Sequence, residues 1–82
     1  MMIDTVRAKF RCGFVCLHAD GSVTVHMSAV YSNDPNSENR KFSDATPHGH
    51  FQMSIKAGGP VDFFREGDEL YVDFTGVPTT DR

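Results

Sequence analysis

The chain has 82 residues and a net charge of −3, from 8 lysines and arginines against 11 aspartates and glutamates. This length fits one domain and excludes two, because an independent core needs about 50 residues or more. The negative balance argues against bulk nucleic-acid binding, in which cationic side chains release counterions. We therefore expect a single domain over residues 1–82, with its core at residues 6–75 and a tail at 76–82.

The sequence shows no pattern typical of export or membrane insertion. Residues 1–14 carry charged residues and no long apolar run, so we expect no secretory signal. No stretch approaches the ~18 apolar residues of a membrane span. In an unbroken strand Cys12 and Cys16 would share one face about 13 Å apart, which is too far for a disulfide. We expect two reduced, partly buried thiols in a cytosolic or particle-bound protein.

Alternation of apolar and polar residues with period two dominates the chain and predicts antiparallel strands. The first strand begins at Val6, reaches a bulge at Gly13 and continues to His18. The turn 19–22 contains Asp-Gly and leads into a strand at 23–31, so these two strands form a hairpin. Two further strands are predicted at His50–Ala57 and Leu70–Phe74. Five phenylalanines are expected in the core: Phe10, Phe14, Phe51, Phe64 and Phe74.

Residues 32–47 are polar and predict a long loop, which in a compact domain is often functional. Phe42 is the one large apolar residue of this loop. We expect it to anchor the loop to the core, with a partner contact as the alternative. Ser37–Phe42 and Val61–Phe64 are each compatible with one helical turn. Four or five antiparallel strands with this long polar loop predict an all-β fold, either a small barrel or a sandwich.

Common catalytic and metal-binding motifs are missing from the sequence. There is no G-x-S-x-G nucleophile elbow, no phosphate-binding loop and no pair of C-x2-C zinc knuckles. His48 and His50 have the spacing of a ligand pair, but they follow Pro47 at a turn and are typical of exposed polar residues. We therefore predict that the protein is not an enzyme and has no metal or other cofactor.

Three cations alternate along the first strand: Arg7, Lys9 and Arg11. They would share one exposed face, with about 6.6 Å from one to the next. A solvated face that blocks aggregation is the simpler interpretation. The functional interpretation is contact with an acidic protein or with nucleic acid, and the negative charge makes nucleic acid the weaker choice. The candidate partner-binding residues are these cations and exposed residues of the loop and last strand: Arg7, Lys9, Arg11, Arg40, Lys41, Phe42 and Tyr71.

Several segments together resemble small β-rich proteins encoded in tailed-bacteriophage genomes, over residues 6–75. The segments are Met27–Tyr31, the loop with Glu38, Asn39 and Phe42, then Thr46–Gly49, the strand with Met53 and Ile55, and Phe64–Phe74. The resemblance implies a capsid decoration or cement protein on the virion surface. Its partners would be the major capsid protein and copies of itself, as in a trimer, with no membrane. The alternative is a small phage-encoded binding module that acts on single-stranded nucleic acid or a host protein.

Overall fold

A computed structural model describes residues 5–78 of the chain. Its four strands are β1 (Thr5–Leu17), β2 (Val23–Ala29), β3 (His50–Ile55) and β4 (Glu69–Thr75). They form one antiparallel sheet in the order β3-β2-β1-β4. The sheet curls into a half-barrel, so the predicted all-β fold is confirmed. The inner side of this curl is called the concave face below, and the outer side the convex face.

β1 and β2 form the predicted hairpin. Gly21 in its turn has a φ of 87°, a conformation that glycine adopts without steric cost. The Asp20 carboxylate accepts hydrogen bonds from the backbone N–H and the hydroxyl of Ser22, at 2.9 and 2.6 Å. These bonds favour the charged carboxylate and lower the pKa of Asp20. The turn is therefore stabilised by side-chain as well as backbone geometry.

Gly13 lies in a bulge, as the sequence predicted, because the β1–β2 register shifts between Cys12 and Phe14. Before the bulge the even-numbered residues of β1 face inward. After it Val15 pairs with Val25 and takes over the inward position. The bulge therefore turns Phe14 to the convex face, where it stacks on His26 with ring centroids 4.0 Å apart. The expectation that Phe14 belongs to the core was wrong for this reason.

Most of the core lies on the concave face along the β1–β2 hairpin. The segment between β3 and β4 folds back over one end of this face, where Val61 and Phe64 pack on buried residues. Val61–Phe64 forms turns and not the expected helical turn. The buried apolar residues are Ala8, Phe10, Cys12, Val23, Val25, Met27, Val30 and Ile55.

The polar loop contains a helix, α1 (Glu38–Ala45), where the sequence predicted one turn at most. Ser37 caps its first turn by accepting a hydrogen bond from the Asn39 N–H at 3.1 Å. Glu38 then places a negative charge at the positive end of the helix dipole. The Thr46 N–H donates to the Phe42 carbonyl at 2.7 Å and ends the helix. This helix lies against the convex face.

Candidate functional site

The concave face is an open apolar groove with a volume of about 740 Å³. Strand register brings its residues together, because Phe10 lies opposite Leu70 and Met27 opposite Phe51. Successive residues of a strand point to opposite faces, so alternate apolar residues of all four strands share this floor. The floor consists of Val6, Ala8, Phe10, Met27, Phe51, Met53, Leu70, Val72 and Phe74.

Several large apolar side chains of the groove remain exposed. Val6 and Phe74, at the β4 side, are 59% and 56% exposed. Met53 on β3 and Phe63 on the covering segment are 42% and 62% exposed. Contiguous apolar patches of a few hundred Å² on soluble proteins commonly mark interaction sites. The groove is therefore the strongest candidate for a binding surface among the described residues.

The rim of the groove is polar, whereas its floor carries almost no charge. Thr46, His48 and His50 border it on the side of β3. Asp73 is the one aspartate, glutamate, lysine or arginine among the described residues that line it. Its carboxylate accepts two hydrogen bonds from Arg7, at 2.7 and 2.9 Å, which occupy both oxygens. Such a surface suits an apolar partner better than a charged ligand.

Arg7, Lys9 and Arg11 lie together on the convex face, as the alternation predicted, and are called the basic stripe below. Each of the three has a carboxylate partner. Arg7 forms the two-bond pair with Asp73 that raises the pKa of the guanidinium and lowers that of the carboxyl. Arg11 donates to Glu69 at 2.7 Å. Lys9 donates to Glu38 at 2.8 Å and lies 3.5 Å from Glu69. Within residues 5–78 the stripe is therefore neutralised by its own chain.

Tyr71 lies at the centre of these convex-face contacts. Its hydroxyl donates to Glu38 at 2.8 Å, and this bond raises the pKa of Tyr71. The hydrogen bonds from Lys9 and then Tyr71 lower the pKa of Glu38. The Arg7 guanidinium lies 4.7 Å from the Tyr71 ring centroid, and the Phe42 ring 5.9 Å from it. Because Glu38 and Phe42 belong to α1, these contacts hold the helix on the sheet.

The remaining candidate residues lie on α1 itself. Arg40 pairs with Asp44 at 3.1 Å and donates to the Asn33 carbonyl at 3.0 Å. Lys41 is exposed and lines a shallow depression beside Phe42. The structure thus brings all seven predicted residues together around α1. Most of them make contacts that stabilise the fold. Phe42 packs against Tyr71 on the convex face and not in the core clusters to which the sequence analysis expected it to anchor the loop.

The two cysteines lie on opposite faces of β1, because the bulge at Gly13 separates them. Cys12 is fully buried, and burial raises the pKa of its thiol. Cys16 is half-buried and pairs with Thr24 across the strands. Both are free thiols. Over residues 5–78 no group of three or more histidine, cysteine or acidic side chains is arranged to hold a metal ion.

Comparisons with known proteins add no relative, since no family model, curated protein or solved structure matches this chain. None of the helices formed by residues 5–78 is long and apolar enough to cross a membrane.

Sequence reasoning missed the concave face as a binding surface and assigned Phe74 to the core. The alternation in β4 correctly places Leu70, Val72 and Phe74 on one face. It does not say whether another layer covers that face. One signal was available. No segment outside the predicted strands had the apolar pattern of a second layer that could cover the sheet.

Proposed function

We propose that the protein is a structural subunit that docks its concave face on the capsid lattice of a tailed phage and reinforces that lattice. The observation that carries this proposal is the open apolar groove with Val6, Phe63 and Phe74 more than half exposed. A partner that binds the folded chain and covers the groove stabilises it by mass action. The groove thus supplies both an affinity for the partner and a stabilisation of the domain.

The resemblance to phage virion proteins supplies the identity of the lattice. The major capsid protein would be the docking partner, with further contacts between copies of the chain on the virion surface. A domain of 82 residues buries a smaller share of its surface than a larger one and is only marginally stable. Repeated contacts on a lattice multiply weak individual interactions, so such a domain suits this role.

Covering the exposed rings of the groove would contribute favourable free energy to docking. The rings of Phe63 and Phe74 are 62% and 56% exposed. Each therefore offers roughly 100 Å² of surface to a partner. At about 25 cal/mol per Å², covering each ring contributes about 2 to 3 kcal/mol before the costs of association. These two rings, with Val6 and Met53 around them, form the apolar centre of the proposed interface.

The alternative function is a small binding module for single-stranded nucleic acid or a host protein. For nucleic acid it depends on Arg7, Lys9 and Arg11, whose carboxylate partners lie at 2.7 to 2.8 Å. A phosphate would have to displace those carboxylates, which reduces the gain from counterion release. The aromatic ring nearest the stripe, Tyr71, is engaged with Glu38 and Arg7. These pairs therefore disfavour the nucleic-acid version of the alternative.

The experiment is sedimentation of the purified protein with capsid shells of the source phage that lack it. The wild type should pellet with the shells and saturate at a fixed ratio to the major capsid protein. Phe63→Ser should weaken this binding by about tenfold or more, because one ring is lost from the groove. Phe14→Ser is the matched control, since Phe14 is a similarly exposed ring on the convex face. Equal binding by both variants, or a wild type that stays in the supernatant, would contradict the proposal.

A further inference from the structure

The outer edge of β4 is an open strand edge. β4 pairs with β1 along all seven of its residues, Thr75 opposite Thr5 to Glu69 opposite Arg11. Among residues 5–78, no other strand, loop or side chain forms a hydrogen bond with the β4 backbone. The strand also contains no proline, glycine or lysine that would block pairing at this edge. An edge of this kind can pair with a strand of another chain.

The hydrogen bonds of β1 show which β4 groups point outward. Cys12 donates its N–H to the Asp68 carbonyl at 2.8 Å, on the β4 side. The Lys9 carbonyl accepts from the Val30 N–H at 3.1 Å, on the β2 side. Backbone groups alternate in direction along an antiparallel strand. Up to the bulge, the even-numbered residues of β1 therefore bond to β4 and the odd-numbered ones to β2.

The same alternation applies to β4. Leu70 and Val72 lie opposite the even-numbered Phe10 and Ala8, so their N–H and C=O groups bond to β1. The N–H and C=O groups of Glu69, Tyr71, Asp73 and Thr75 consequently point away from the sheet at the open edge.

We propose that two copies of the chain pair through β4, antiparallel and about a twofold axis at Val72. In this register Tyr71 lies opposite the second copy's Asp73, and Glu69 opposite the second copy's Thr75. Both are pairs of residues whose backbone groups point outward, so each can exchange two N–H···O bonds. The interface is isologous, with the same strand on both sides, and it closes at two copies.

Length and charge both select this register. It is the one that pairs all seven residues of β4, since Glu69 meets the opposite end of the strand. A slip of two residues in one direction sets Glu69 opposite the second copy's Asp73. A slip of two residues in the other direction sets Asp73 opposite the second copy's Asp73. Like charges directly opposite each other destabilise a strand pair, and both slips also lose backbone bonds.

The pairing also covers apolar surface. In this register Leu70 lies opposite the second copy's Phe74, and Val72 opposite its own equivalent, all on the concave side. Phe74 is 56% exposed in the single chain. The two concave faces then join into one groove on an eight-stranded sheet. β3, the other edge, carries no aspartate, glutamate, lysine or arginine and has one residue fewer, so it offers less register selection.

The dimer would be the unit that docks on the capsid lattice, and this role rests on the proposed function. It predicts a docking unit of two chains and not of three. Its test uses no capsid, so the two proposals can fail separately. Sedimentation equilibrium of the wild type should show a reversible shift from 9.1 kDa to twice that mass as concentration rises. A mass that stays at one chain up to about millimolar concentration, or reaches three chains, would overturn the proposal.

Amide hydrogen exchange of the wild type identifies the edge. Protection of the Tyr71 and Asp73 amides should rise with protein concentration, because only the dimer covers them. The Leu70 and Val72 amides should stay protected at all concentrations, because they bond to β1. Concentration-dependent protection along His50–Ile55 with none at Tyr71 would instead indicate a β3 interface and contradict this inference.

A pair of variants distinguishes the loss of hydrogen bonds at the β4 edge from a change in the fold of the single chain. Thr75→Pro removes an outward N–H and should leave the β1–β4 bonds intact, because proline is tolerated where the N–H faces solvent. Thr75→Val is its control, since both lose the hydroxyl contact with Thr5 at 3.1 Å. The dimer has two such N–H groups, so Thr75→Pro should raise the dimer dissociation constant about tenfold over Thr75→Val. Equal dissociation constants for the two variants would contradict the β4 pairing.

Discussion

Phe14 and Phe74 lie on opposite faces of the sheet, although the alternation along the sequence predicted that both belong to the core. Their exposed fractions are 47% and 56%. Phe14 stacks on His26 at the convex side, whereas Phe74 borders the open groove. The difference follows from the bulge at Gly13, which reverses the side-chain pattern of β1 beyond Cys12. Two rings of similar exposure thus allow the two faces to be compared directly.

The first prediction concerns the groove as a binding surface for apolar molecules. The wild type should increase the fluorescence of an apolar dye, because the dye enters the concave face. Phe74→Ser should weaken dye binding several-fold, since it removes a ring that lines the groove. Phe14→Ser should leave dye binding unchanged. An equal loss in both variants would contradict the assignment of the dye site to the concave face.

The second prediction concerns the bulge. A methyl group on Gly13 would meet its nearest neighbour, the His26 carbonyl, at 3.5 Å, an ordinary contact. Gly13→Ala should therefore change the free energy of unfolding by less than about 1 kcal/mol. Deletion of Gly13 should cost less than about 3 kcal/mol, because it removes the extra residue of the bulge and leaves Phe14 opposite His26 and Val15 opposite Val25 in regular alternation. Urea unfolding measures both, and a deletion that unfolds the domain would contradict the assignment of Gly13 as the extra residue of the bulge.

The third prediction concerns pH. The hydrogen bond from Arg11, helped by Asn39 and Lys9, lowers the pKa of Glu69 below its ordinary 4.5, although burial opposes this shift. A carboxyl with a lowered folded-state pKa stabilises the fold fully above its unfolded pKa. That stabilisation is lost as pH falls through the folded pKa. The free energy of unfolding should therefore decrease below pH 4.5.

Glu69→Gln should make that decrease shallower, because glutamine does not bind the proton. The measurement is urea unfolding across the acid range. Asp62→Asn is the control, since it makes the same change of charge at an exposed residue that has no ion pair within residues 5–78. An unchanged slope for Glu69→Gln would indicate that other carboxyls account for the acid sensitivity.

The fourth prediction concerns the thiols. Cys12 is fully buried with a raised pKa, whereas Cys16 is half-buried on the opposite face. Thiolate is the reactive form, so Cys16 should react with a thiol reagent well before Cys12. Mass spectrometry after timed labelling, with digestion between the two sites, measures each rate. Unfolding in urea should make the two rates similar, and a fast reaction at Cys12 in the folded protein would contradict its buried position.

The alternation along the chain was enough to predict the fold class, the hairpin and the bulge at Gly13, because these depend on local patterns. The helix α1 was underestimated, although Ser37 as a cap followed by Glu38 is a start signal. Its charged and polar composition gave no strong apolar period, and contacts with Lys9 and Tyr71 stabilise it.

The neutralisation of the basic stripe could not be predicted from spacing along the chain. The partners of Arg7 and Arg11 are Asp73 and Glu69, which are 66 and 58 residues away in sequence. Only the β1–β4 register brings these carboxylates beside the cations. The open groove is likewise a property of strand order and curl, which the alternation within one strand does not determine.

The most direct test of the proposed capsid role is quantitative mass spectrometry of purified virions of a tailed phage that encodes this chain. A lattice-bound reinforcing subunit should be present at a copy number comparable with that of the major capsid protein, and at a fixed ratio to it. Absence of the protein from purified virions would contradict the capsid role and favour a binding module that acts in the infected host.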